Sequence, residues 1–170
     1  MREAVIGQVR CHNKLGHKDQ AFSKARQFLN YEGTYPEQIA ECNNIMGKVS
    51  LENKSYIDAL SYFQKSYTKS DDINGAEGKY YEAFTYFKMD SLVQTKKSIF
   101  QFNEQFSTYD YWLGKSFILL GDYYYRKNDQ FQAKATWNST IENFSDIDEI
   151  VKEAQDRLNK VKNGDPIRED

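Results

Sequence analysis

The chain has 170 residues, of which 39% are hydrophobic and 28% charged, with a formal net charge of −2. That is enough chain for one ordinary domain with a buried core, and no run approaches the roughly 18–20 apolar residues of a membrane span. Lys and Arg are scattered, so the basic stripe that nucleic-acid binding needs is missing from the pattern.

The first helix is expected over residues 3–15, beginning almost at Met1. A chain that opens inside an element reads as a segment of a longer protein, so the lack of a signal peptide says little about location. His12 and His17 straddle the end of this helix, five residues apart. Metal-binding pairs on a helix sit three or four apart, so packing or surface roles are expected for both, and no metal site. Cys11 and Cys42 fit neither a zinc motif nor a disulfide framework. Two buried free thiols are expected, with a disulfide only if their helices face each other closely. Neighbours on a helix point about 100° apart, which argues against Cys11 and His12 working as a nucleophile and base.

From there the chain alternates helices and short turns. First helices are expected near 3–15, 36–52, 74–88 and 110–127, and their partners near 18–30, 55–69, 91–106 and 129–144. Pro36 suits a first helical turn, where its missing N–H is harmless. Asn74 with Glu77 reads as a capping box, and Ser55 with Asp58 and Ser145 with Asp148 as weaker versions. Loops are expected at Tyr31–Tyr35, Ser70–Ile73 and Ser107–Tyr109. A ninth helix over 146–162 carries Ile147, Ile150, Val151, Ala154 and Leu158 on one face, as a capping helix would. Residues 163–170 are expected to be a disordered tail.

A repeat underlies this alternation. Ala21, Ala59, Thr95 and Ala133 occupy one position of each second helix, and follow one another at 38, 36 and 38 residues. Twelve residues before them stand Val9, Gly47, Ala83 and Gly121, mostly small, as a close helix crossing requires.

Leu120-Gly121-x-x-Tyr124 followed by Ala133 and Trp137, and Met46-Gly47 followed by Tyr56, Ala59 and Phe63, resemble the tetratricopeptide repeat (TPR) family. The third copy departs from that pattern, with Thr95 for the alanine and Phe102 at the second small position, and the first copy lacks the first-helix signature. The resemblance covers about residues 3–144. It implies an all-α protein, a right-handed α-solenoid of four hairpins plus the capping helix, as a single domain over 1–162. The longer period and aromatic-rich helices are similar to bacterial envelope members such as the Tol-Pal system coordinator and outer-membrane assembly lipoproteins. That likeness implies a periplasmic or envelope-associated setting.

The resemblance also implies that the first helices line a concave groove for a protein or peptide partner. The groove residues it assigns are Arg10, Lys48, Tyr80, Phe84, Phe87, Lys88, Asp122, Tyr125 and Arg126. Aromatics beside Arg are the usual anchors of protein interfaces, although Phe84 and Phe87 at helical spacing also read as core. The family's clamp for acidic chaperone tails needs Lys and Asn where the first copy has Ile6 and Arg10, so that partner is not expected. Asp71-Asp72 looks like a solvated loop pair, and Gly75-x-x-Gly78 lacks the Lys-Ser/Thr of a phosphate loop. The expectation is a non-catalytic interaction scaffold without cofactor. Self-association, or service as the regulatory part of a larger enzyme, stands as the alternative.

Overall fold

The computed structural model describes residues 1–163, and the expected tail beyond that lies outside the described residues. The chain divides into two compact units, Met1–Met89 and the remainder from Asp90. The first unit holds α1 (Arg2–Lys14), α2 (Lys18–Phe28), α3 (Pro36–Glu52), α4 (Tyr56–Lys69) and α5 (Ile73–Lys88). The second holds α6 (Leu92–Phe106), α7 (Asp110–Arg126), α8 (Gln130–Asn143) and α9 (Asp148–Asn163). Among the described residues there are nine helices and no strand.

Each pair α1–α2, α3–α4, α5–α6 and α7–α8 is joined by a three-residue turn whose middle residue is left-handed. Those residues are Gly16, Lys54, Asp90 and Asn128, with φ of 71°, 59°, 57° and 61°. A left-handed residue after a helix lets its own amide and the next turn back onto the helix's last carbonyls. The His17 N–H donates to His12 O at 2.9 Å, Ser55 N–H to Ser50 O at 2.8 Å and Asp129 N–H to Tyr124 O at 2.9 Å. In α1–α2, α3–α4 and α7–α8 the chain therefore reverses within three residues and sets the second helix against the first.

Where the two helices of a hairpin cross, side-chain volume is traded between them. Val9 and Ala25 are both fully buried in the first crossing. In α3–α4 the first helix offers Gly47 and the second fills the space with Phe63; a Cβ on Gly47 would lie 2.5 Å from the Phe63 ring. In α7–α8 a Cβ on Gly121 would fall inside the Trp137 indole, whose Nε1–H donates to Ile118 O at 3.2 Å. Burying one large aromatic side chain contributes about 1.5–3 kcal/mol, so these two glycines set where the heaviest core residues go.

Helix starts follow local chemistry, with corrections at α5 and α9. Pro36 does occupy the first turn of α3. Asn74 is not the cap of α5: Asp72 is, its carboxylate accepting from the Asn74 and Gly75 amides at 2.9 and 3.2 Å. A carboxylate is the better acceptor for exposed amides at the positive end of a helix, so α5 begins at Ile73 and takes up the last residue of the expected loop. Ser55 stands at the N-cap of α4 without a side-chain cap bond. Helix α9 begins at Asp148 rather than 146, three residues past Ser145. It packs on α8 and α7 through Ile150 and Ala154, and Gly114 admits Ile150, whose Cγ2 would lie 2.9 Å from a Cβ there.

Candidate functional site

The first-helix residues assigned by sequence fall into two groups, one in each unit. In the first unit, α3 and α5 lie side by side. Lys48 on α3 donates to Glu77 on α5 at 2.7 Å, and Asn44 Nδ2 donates to Asn74 O at 2.8 Å and Glu77 Oε2 at 3.2 Å. On α5, Tyr80 stacks on Phe84 at 6.1 Å, and Tyr81 meets the edges of both at 5.2 and 6.3 Å. Two ammonium groups stand over this cluster: Lys48 Nζ lies 5.8 Å from the Tyr81 ring centre and Lys88 Nζ 5.0 Å from that of Phe84. Tyr81 and Phe84 are half-buried, Tyr80 is 7% exposed and Phe87 is fully buried. Phe87 is thus core, and Phe84 is the aromatic that reaches the surface. Tyr81 was absent from the sequence assignment; its signal is position, one residue past Tyr80 and stacked on Phe63 at 5.3 Å.

In the second unit, Tyr125 is half-buried with its ring 6.1 Å from Trp137, and Arg126 reaches Asp90 at 3.6 Å. Asp122 is 5% exposed and bonded to Arg157 of α9 at 3.2–3.3 Å. Arg157 continues to Glu153, which also accepts from Lys115 at 2.5 Å, and the Tyr111 hydroxyl donates to Glu149 at 2.7 Å. A row of polar contacts therefore clamps α9 along α7.

These contacts share one register. Arg10, Lys48 and Asp122 hold the same place in their first helices, eleven residues before the anchors Ala21, Ala59 and Ala133. Each bonds the next first helix or α9: Arg10 to Glu41 at 2.8 and 2.7 Å, Lys48 to Glu77, and Asp122 to Arg157. The charges expected to meet a partner are engaged within the chain, each lying beside a neighbouring helix. In the third copy this place is taken by Phe84.

A buried polar cluster escaped the sequence reading. Lys79 and Glu82, 3% and 8% exposed, form an ion pair of 2.6 Å on α5; the Tyr67 hydroxyl of α4 donates to Glu82 at 2.8 Å and Lys79 Nζ lies 4.5 Å from the Tyr67 ring centre. Burial, and then the bond to Glu82, push the Tyr67 phenol well above its usual range. Three partners in one place satisfy charges that would be costly alone.

Cys11 is exposed and Cys42 buried, and both are free, which corrects the expectation of two buried thiols. Cys42 lies in the core that α1, α2 and α3 build together, whereas Cys11 stands on the exposed face of α1. Burial pushes the Cys42 thiol up to about 12, with Glu41 adding to the rise. His12 and His17 have ring centres 5.7 Å apart. Among the described residues no three His, Cys, Asp or Glu side chains converge as a metal would require.

Hairpins of 36–38 residues, small-against-large crossings and first helices joined side to side define a tetratricopeptide-type α-solenoid: four hairpins and a C-terminal helix. The fold is similar to the crystal structure of BtubC (BKLC) from P. vanneervenii, with a TM-score of 0.69 and 14% identity over 99% of this chain and 84% of that one. Two MamA crystal structures are similar at TM-scores of 0.61 and 0.62, each 14% identical, covering 91% and 99% of this chain and 96% and 98% of theirs. No family model and no curated protein matches the sequence. No helix among the described residues is long and apolar enough to cross a membrane.

Proposed function

We propose that this chain is a non-catalytic interaction scaffold that holds an extended peptide or a partner helix along its first-helix faces. The observation that carries the reading is the α5 cluster. Phe84 replaces the charged residue that links neighbouring helices in the other copies, and it stands half-buried among Tyr80, Tyr81 and Lys88. Clustered aromatics with a cation at the rim are what interface hot spots are made of. Tyr125 and Arg126 supply a second patch of the same composition on α7. Immobilised parent chain, Phe84→Ala with Lys88→Ala, and Tyr125→Ala with Arg126→Ala are compared for partner retention. Loss of about 2 kcal/mol of binding in either pair supports the reading, and full retention by both pairs ends it.

The proposal extends to an envelope setting, on the strength of the long, aromatic-rich repeats that are similar to envelope tetratricopeptide proteins. Fractionation of the tagged protein in its own cells tests this; recovery away from the envelope would remove the extension and leave the scaffold reading intact.

Self-association is a second reading with its own observation. On α1, Ala4, Gly7, Gln8 and Cys11 are exposed. The residues 38 positions on that match the first three, Cys42, Ile45 and Met46, are buried against the first hairpin's core. Light scattering across concentration tests it: a dimer abolished by Gly7→Arg supports stacking through α1, and a monomer throughout excludes it.

A further inference from the structure

The second unit carries an exposed aromatic at one end of α8 and a hollow at the other. Phe131 and Val93 hold the same place in α8 and α6, two residues before Ala133 and Thr95, and are 79% and 78% exposed. At the far ends of these helices, α6, α7 and α8 leave a hollow of about 280 Å³. Leu113, Phe117 and Phe144 line it, and Asn103 and Asn143 stand exposed at its mouth. Short polar side chains at those two places leave the apolar wall uncovered. The volume is just under the range for ligand sites, roughly 300–1,000 Å³, and has room for one aromatic side chain. Phe131 lies twelve residues before Asn143, about 18 Å along the helix, so the aromatic does not reach the hollow of its own molecule.

Charge identifies the occupant. Exposed Glu104, Glu142 and Asp146 lie next to Asn103, next to Asn143 and two residues past Phe144. At the other end, exposed Lys127 precedes α8 and exposed Lys134 follows Phe131 by three residues. Helix α9 runs in the direction of α7, since Glu149 meets Tyr111 and Arg157 meets Asp122, so Lys162 adds to the basic end. None of these six side chains forms an ion pair among the described residues. Folding does not account for the pattern. Glu104 and Glu142 stand in the last turns of α6 and α8, which hold no basic residue, and a carboxylate at the negative end of a helix dipole is unfavourable. The carboxylates at the basic end are engaged, Asp129 capping α8 and Asp90 meeting Arg126.

We infer that copies of this chain associate head to tail through the second unit: Phe131 of one copy enters the hollow of the next, and the lysines around the aromatic meet the carboxylates around the hollow. The opposite charges set the orientation and speed the encounter, and the buried ring supplies the affinity. The two surfaces differ, so the contact is heterologous, and each assembly keeps one aromatic and one hollow free until a ring closes. The α1 face takes no part in it.

Sedimentation velocity of the full chain across concentration tests this, with circular dichroism confirming that each variant is folded. The parent should associate reversibly, and less so at high salt, because the flanking charges are exposed. Phe131→Ser should weaken association about tenfold or more, and so should Glu104→Lys combined with Glu142→Lys. The decisive sample mixes these two variants. One keeps its hollow and the other its aromatic, so together they should form a one-to-one pair and nothing larger. Gly7→Arg should associate as the parent does. The proposal is overturned if the parent is monomeric throughout, which leaves the hollow to a different protein or to no guest. It is equally overturned if Phe131→Ser associates as the parent does, if the mixture stays monomeric, or if Gly7→Arg alone abolishes association.

Discussion

At Lys54 a long, branched-free side chain is held at φ 59°, in the left-handed region that L residues enter at a cost of roughly 1–2 kcal/mol. The same turn position is Gly16, Asp90 and Asn128 in the other copies, residues that tolerate this conformation. Lys54→Gly is therefore expected to raise unfolding stability by about 0.5–1 kcal/mol in urea titration. Glycines at the crossings behave in the opposite sense. Gly121→Ala drives a methyl into the Trp137 indole and should cost about 1–3 kcal/mol, with altered Trp fluorescence. Gly7→Ala, with nothing within 4 Å of its Cβ, should gain about 0.5–1 kcal/mol by the same measurement. Both kinds of position were legible as small residues in a repeat. What the sequence could not say is which large side chain each glycine admits; Gly114 looked isolated until α9 brought Ile150 onto it.

Elements were legible where one local rule acted alone. Pro36 and the three-residue turns marked their helix ends because dihedral preference decides them. The α5 start was misread because two acceptors competed, and the carboxylate of Asp72 outranks the Asn74 side chain. Burial pushes the Asp72 carboxyl up, but bonds from Ser70, Asn74 and the Asn74 and Gly75 amides outweigh it and the net shift is down. A carboxyl lowered on folding contributes stability that is present above its unfolded value near 3.8 and is lost as pH falls through the lower folded value. Asp72→Ala should cost about 1 kcal/mol near neutral pH, and the gap to the parent should shrink only below about pH 4. A gap that stays constant into strong acid would show that the charge of Asp72 contributes nothing. The polar row between α7 and α9 was hidden for a different reason: its partners lie 35–38 residues apart and no local rule joins them.

At the scale of the molecule, the repeat was readable because the small and large residues of each crossing return at 36–38 residues. The function of the first-helix faces was only half readable. Position marks a residue as lying on that face, but whether its charge meets a partner or the next helix depends on what stands opposite. Arg10, Lys48 and Asp122 each find an opposite charge within reach on the neighbouring helix, and Phe84 breaks the series.

The most direct test of the scaffold reading is site-specific photocrosslinking from the first-helix faces in the native cell. A benzophenone side chain replaces Phe84 or Tyr125 in turn, with exposed second-helix positions Gln94 and Lys134 as controls. Positions 84 and 125 are expected to capture a discrete protein partner that the controls do not capture. Equal capture from all four positions, or capture from the controls alone, would contradict it.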